Sequence, residues 1–286
     1  MMQNFTYLPP QIDIHDATLS QAMTNGLSAN LLLIAEELRD HVLAMPEFAP
    51  VATQIALGQK APYSMVQHNS LQLVVFMGSH PVRDHALYKQ ARSWVVPLAG
   101  LKIERMGVHL EGFDEGDRAL LAELALACLL AANVPMPSHK HCVEDEWRYQ
   151  QIAVSPRCVL DLARIYAEAE GNGMARHLAV SPASDLTARS YREWVRQLAQ
   201  VEGWQWFEYD QAQLAERGAG AFIAVARGSE DNQAAMVKLS YCPPNPVRRV
   251  ALVGKGICHD SGGYNLKVAG SMYGMHLDMG GSAVAL

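Results

Sequence analysis

The run "LQLVVFM" (Leu71–Met77) constrains the fold of this 286-residue chain more than any other stretch. A short, almost wholly apolar segment rich in branched side chains suits a strand buried on both faces, and such a strand needs helices packed above and below it. A helix is expected next, from about Asp84 to Ser93, followed by a strand over Glu104–Leu110. Asp117 is expected to open a further helix, "RALLAELALACLLAAN". Upstream, Ser28 reads as the cap of a helix through "NLLLIAEELRDHVLAM", with Pro46 just beyond its end. Strands alternating with helices predict an α/β domain with a mostly parallel sheet.

A second α/β part is expected to begin near Ser155-Pro156, which gives an amino-terminal α/β domain over 1–154 and a second domain over 155–286. There a turn precedes the helix "CVLDLARIYAEAEGNGMARHLA". "VSPASDLT" reads as a loop, and Thr187 as the cap of the helix "ARSYREWVRQLAQ". "WQWFEYD", "AAMVKLSY" and "RVALVGKG" read as strands, with a short helix "QAQLAERG" ending at Gly218.

Charge and composition exclude several classes of function. A net charge of −6 leaves no electrostatic footprint for nucleic acid or an anionic membrane. The longest apolar run, Ala119–Val134, contains Glu123 and is too short to span a bilayer, so it is expected as a buried helix. The opening "MMQNFTYLPPQIDIHD" has no basic segment leading into an apolar one, so no signal peptide is expected. Five cysteines, Cys128, Cys142, Cys158, Cys242 and Cys258, never pair as C-x-x-C, and a reducing cytoplasm is the expected location. "HKHC" (His139–Cys142) contains ligand-type side chains but has no partner cluster, and is expected to be a loop or strand end.

The closing stretch, "GKGICHDSGGYNLKVAGSMYGMHLDMGGSAVAL", concentrates the chemistry. Strand "RVALVG" would deliver Lys255 to its carboxyl end, where open α/β sheets place their sites. Asp260 and Asp278 each precede a glycine-rich turn and offer hard oxygen ligands to a divalent ion. A lysine can join them only as a neutral amine, a form that a neighbouring dication favours. A second lysine that keeps its proton, Lys267, could polarise a carbonyl oxygen. On residue types alone a structural loop remains open beside the metal site. His259 and His276, adjacent to the aspartates, are alternative ligands, weakened because neighbours on a strand point to opposite faces.

"VGKGICHDSGGYNLK" followed by "MYGMHLDMGG" closely resembles the leucyl (cytosol) aminopeptidase family of two-metal exopeptidases, with the family's spacing and no insertion. "RHLAVSPASDLT" and "LAERGAGAFIAVARGS" resemble family segments upstream, with Ser181 where asparagine is common. The likeness spans about Ser155–Leu286. It implies an α/β metallo-aminopeptidase catalytic domain, of which this chain would hold the first part. It also implies that Lys255 is an amine ligand, Asp260 a bridging carboxylate and Asp278 a further ligand. Lys267 would be the electrophile beside the substrate carbonyl, and Met275 would line the pocket for the first side chain.

The implied cofactors are two divalent ions, Mn²⁺ or Zn²⁺. The implied substrates are peptides with a free amino terminus, often leucine-like, and the implied assembly is a cytoplasmic homo-hexamer. Cys258 and His259 stand where the family has threonine and phenylalanine. The family's next motif, N-T-D-A-E-G-R, would lie beyond Leu286, so the sequence is expected to be a fragment and inactive alone. The alternative expectation is a non-catalytic family member that binds or assembles.

Overall fold

A computed structural model of the chain describes residues 5–98, 101–134, 136–137, 148–229 and 233–286. The strands are β1 (Gln11–Ile14), β2 (Ala29–Ala35), β3 (Tyr63–Gln67), β4 (Ser70–Met77), β5 (Arg105–Glu111), β6 (Gln151–Ser155), β7 (Gln205–Asp210) and β8 (Ala235–Ser240). Among the helices, α1 (Leu19–Met23), α2 (Arg39–Leu43), α3 (Ala49–Ala56), α4 (His85–Val95) and α5 (Glu115–Ala132) are interleaved with the first six strands. They are followed by α6 (Leu162–Val180), α7 (Ala188–Val201), α8 (Gln211–Glu216), α9 (Gly220–Ala226), α10 (Ala269–Met272) and α11 (Gly280–Ala285). "HKHC" lies outside the described residues.

The chain divides into two compact units. The larger comprises Tyr7–Pro135 and Lys140–Gly173, and the smaller is carried mainly by Met174–Leu286. The division thus falls inside α6, later in the chain than the expected start of the second domain at Ser155.

The larger unit is a three-layer α/β structure. Its sheet has the order β1-β6-β5-β2-β4-β3, parallel throughout except for β3, which pairs antiparallel with β4. Strand β2 sits between β5 and β4, and every one of its residues is buried. Leu31 and Leu33 point into a core shared with Leu87 and Trp94 of α4, Leu121 and Leu126 of α5, and Ile165 of α6. Leu32 and Ile34 point the other way, onto Val42, Phe48 and Val51 of α2, α3 and the turn between them. The helix expected over "NLLLIAEELRDHVLAM" is therefore a strand followed by a short helix. Periodicity cannot separate a buried strand from a buried helix in so short an apolar run, and burial on two opposite faces decides for the strand.

The expected strand Leu71–Met77, helix Asp84–Ser93 and strand Glu104–Leu110 correspond to β4, α4 and β5. Helix α5 begins earlier than expected, because Asp114 rather than Asp117 caps it by accepting from the Asp117 N–H at 2.8 Å. Its apolar run is buried as expected.

Two polar devices fix strand placement within this sheet. Buried His109 on β5 sits 2.9 Å from Ser155 Oγ on β6, and its other ring nitrogen lies 2.8 Å from Glu111. Buried Asn30 on β2 donates to Ser70 Oγ at 3.3 Å and accepts from Asn25 at 3.0 Å. Its side chain lies over Gly107 of β5, where an added Cβ would overlap the Asn30 amide oxygen and touch Leu27 at 3.2 Å.

In the smaller unit, β7 and β8 form a two-stranded antiparallel sheet. Helix α7 opens with a capping box in which Thr187 and Ser190 bond each other's backbone N–H, as the sequence predicts for Thr187. Its Arg192 is paired to Glu208 of β7 at 2.6 Å. Leu178, Leu186, Tyr191, Val195, Met279 and Ala283 make the core of this unit, with Trp206, Val237 and Cys258 packed against it.

The strand expected over "RVALVGKG" is not present. Residues 248–260 contain no helix or strand, and Val250, Leu252 and Val253 are largely exposed. A strand exists through its ladder, and no described strand pairs with this segment.

Gly107→Ala is expected to destabilise the chain by about 1–3 kcal/mol, the usual cost of forcing extra volume into a packed interior. Asn30 can make room only by giving up its bonds to Asn25 and Ser70. Urea unfolding of the two proteins side by side measures the difference.

Candidate metal and substrate site

Without a strand to carry it, Lys255 is placed by close approach of two backbones. A Cβ on Gly254 would overlap the Gly281 carbonyl and the Ser282 Cα, so the chain at 254 lies directly against the first turn of α11. The Lys255 carbonyl accepts from the Ser282 N–H at 2.9 Å. The Lys255 side chain then reaches Asp278, whose carboxylate lies 3.0 Å from Nζ. A backbone bond and an ion pair thus join the two short segments.

The second pair is built on a turn. Gly262 has φ +85°, and a Cβ there would sit 2.5 Å from the Asn265 carbonyl oxygen, so the loop closes only with glycine at this point. Its N–H donates to Asp260 Oδ1 at 3.0 Å, and the Lys267 N–H bonds back to the Ser261 carbonyl at 2.9 Å. These bonds bring Lys267 Nζ to 2.8 Å from Asp260 and 2.9 Å from the buried Met275 sulfur. The hydrogen bond from Lys267 holds the Asp260 carboxyl below its ordinary value, with the Gly262 N–H and the charges of Lys267 and Lys255 adding to it.

The structure therefore brings the expected site residues together as Lys255 with Asp278 and as Lys267 with Asp260 and Met275. The charge of Lys255 reaches Asp260, which places the two groups within electrostatic range of each other. Each carboxylate already has a cation against it. Two carboxylate groups and a lysine that can turn neutral are donors of the kind hard divalent ions take, so these residues fit a metal site by chemistry. They are three donors, fewer than two ions require for filled shells.

His259 and His276 take a different position. Together with Val180, Pro182, Ala183, Met272 and Tyr273 they line a cleft of about 380 Å³. Cys258 is half-buried against the core beside Tyr191, and burial pushes its thiol up to about 11, so it stays protonated at neutral pH and is a poor ligand. A separate group of His80, Asp114 and Asp117 has ligand-like spacing, but it is largely exposed and Asp114 is already engaged as the α5 cap.

Spacing within the final segment could not indicate one neighbour. Tyr191, 91 residues upstream of Ser282, places its hydroxyl 3.1 Å from the Ser282 Oγ. Its only sequence signal is an apolar position one turn after the Thr187 cap.

Removing the Lys267 charge should release Asp260. In Lys267→Gln the Asp260 carboxyl is expected to titrate higher than in the parent, read by carbon NMR across the acid range. The sign follows from linkage: with the folded value below the unfolded one, the pair adds stability above the unfolded value, and that stability is lost as pH falls through the folded value.

Residues 173–286 match the model of the cytosol aminopeptidase family, catalytic domain. The protein named probable cytosol aminopeptidase from Synechococcus sp. (strain RCC307) is 34% identical over 237 residues, covering 80% of this chain and 47% of that protein. A mutant of tomato leucine aminopeptidase superposes with a TM-score of 0.76 at 17% identity, over 98% of this chain and 59% of that one. The bottromycin maturation enzyme BotP in complex with Mn superposes with a TM-score of 0.62 at 24% identity, over 90% of this chain and 54% of that one. At these identities the structures speak for the shared fold, an α/β architecture with a mostly parallel sheet. The aligned part of this chain spans between 47% and 59% of the length of these three proteins. The family match covers the whole segment that carries Lys255, Asp260, Lys267, Met275 and Asp278, and over that segment the chain is similar to the catalytic domain of the cytosol aminopeptidase family.

Proposed function

We propose that this chain supplies part of the ion-binding and substrate-facing wall of a metal-dependent aminopeptidase that releases leucine-like residues from the free amino terminus of peptides. The observation that carries this reading is the joining of Lys255 to Asp278 and of Lys267 to Asp260 and Met275 within the family-matched segment. Lys255, Asp260 and Asp278 hold divalent ions, with Mn²⁺ or Zn²⁺ as the candidates. When bound, such ions polarise the scissile carbonyl and lower the pKa of a water molecule.

The chain's own side chains divide the remaining work. Asp260, held ionised by the Lys267 hydrogen bond, presents a carboxylate at neutral pH without needing to lose a proton first. Lys255 can act as a donor only as a neutral amine, the form a bound dication favours, and its Nζ lies 3.0 Å from Asp278. The Lys267 ammonium, shared between Asp260 and the Met275 sulfur, is the donor placed to meet a substrate carbonyl oxygen. Met275 offers an apolar, polarisable surface to the first side chain of the peptide. The family resemblance further suggests a cytoplasmic homo-hexamer.

The test begins with ion binding. Mn²⁺ titrated into the chain should bind, and Asp260→Asn should abolish that binding. Leucine release from a short peptide by the protein isolated from its own cells should be lost with a chelator and absent for an amino-terminally acetylated peptide. The 286-residue chain alone is expected to turn over little, since three donors leave the shells unfilled. Equal Mn²⁺ binding by parent and Asp260→Asn would overturn the ligand assignment. Retention of Mn²⁺ binding with no peptide hydrolysis by the native protein would favour a binding or assembly role.

A further inference from the structure

Lys255 has an unusual attachment for a residue whose side chain must be placed accurately. It sits between Gly254 and Gly256 in a segment without helix or strand, so no ladder sets its position. Its backbone restraint is the bond from the Ser282 N–H to its carbonyl at 2.9 Å. That same N–H also approaches the Met279 carbonyl at 3.0 Å, so two acceptors compete for one proton. Whether Ser282 serves Lys255 or closes the α11 turn on itself therefore depends on how Ser282 is held.

The Ser282 hydroxyl resolves that competition. It donates its single proton to the Met279 carbonyl at 2.7 Å, which leaves its oxygen as the acceptor for the Tyr191 hydroxyl at 3.1 Å. Tyr191 is buried in the core made by Leu178, Val195, Met279 and Ala283, and its ring direction is set by that packing. A chain of bonds therefore runs from α7 through Tyr191 to Ser282, and from Ser282 to the Lys255 backbone. Asp278 is carried by the same turn as Met279, so one anchored point governs the partner as well.

We propose that Tyr191 and Ser282 are positioning residues for the Lys255–Asp278 pair: Tyr191 fixes Ser282, and Ser282 holds the Lys255 carbonyl so that amine and carboxylate arrive at ion-ligating separation. This rests on the reading of Lys255 and Asp278 as ion ligands. Tyr191 and Ser282 act through the backbone of the Lys255 loop rather than as ligands themselves. Groups that orient metal ligands from behind change metal affinity about 10–100-fold when removed.

The experiment uses the 286-residue chain, with Mn²⁺ uptake followed by electron paramagnetic resonance and exchange of the Ser282 amide followed by NMR. Tyr191→Phe is expected to weaken Mn²⁺ binding by about 10-fold and to speed exchange of the Ser282 amide. Ser282→Ala should weaken binding similarly, and Ser282→Thr, which keeps a hydroxyl, should restore most of it. If Tyr191→Phe fails to fold, the Ser282→Ala and Ser282→Thr pair decides alone. A Tyr191→Phe protein that lowers the thermal midpoint while keeping parental Mn²⁺ affinity and Ser282 protection overturns the inference and leaves the ligand assignment standing. A parent chain that takes up no Mn²⁺ overturns the ligand assignment itself, and the inference with it.

Discussion

A backbone N–H or carbonyl withdrawn from water must find a partner, and the two units meet that demand by different means. In the larger unit β2 is bonded along both edges and buried on both faces, so its peptide groups are satisfied by β4 and β5 while its side chains feed two cores. The surrounding helices follow from that arrangement, because each face of β2 needs its own cover. In the smaller unit the functional segment has no such ladder. It depends on single bonds at chosen points: Ser282 to Lys255, Lys267 to Ser261 and Gly262 to Asp260. Position at the site is set by a few contacts rather than by a sheet.

Charge placement has the same economy. Each aspartate of the candidate site is paired with a lysine, so its negative charge is balanced by a neighbouring cation. The same lysines are the groups with assigned chemistry, Lys255 as an amine donor and Lys267 as a proton-bearing electrophile. A pairing that helps hold the loop thus involves the same side chains to which the proposed function gives chemistry.

Much of this was legible in the sequence, and the failures have identifiable causes. Leu71–Met77, Asp84 and Thr187 declare themselves through β-branched content and capping chemistry that act locally. Ala29–Ala35 misleads because a run of leucines favours a helix in isolation, and only the double-sided burial of β2 overrides that preference. "RVALVG" misleads in the opposite direction: its continuous apolar run suits a strand, yet no described strand lies beside it. The candidate site residues stand out in the sequence as a set, since they fall within one short segment. Their pairing was not, because Lys255–Asp278 and Lys267–Asp260 join positions on different turns. Tyr191 could not be read at all, because its link to Ser282 crosses the whole of the smaller unit's sequence.

The overlap that a side chain at Gly254 would make with Gly281 and Ser282 has a consequence for how this site can change. The lysine-bearing loop meets the start of α11 main chain to main chain at Gly254, so a larger residue there would push Ser282 away from its bond to Lys255. Under the proposed function, changes in ion or peptide preference would enter through the surfaces around this seam, such as the cleft of His259, His276 and Tyr273. The seam itself behaves as a fixed hinge pin, and a combinatorial library that varied it would spend most of its members on chains that cannot close.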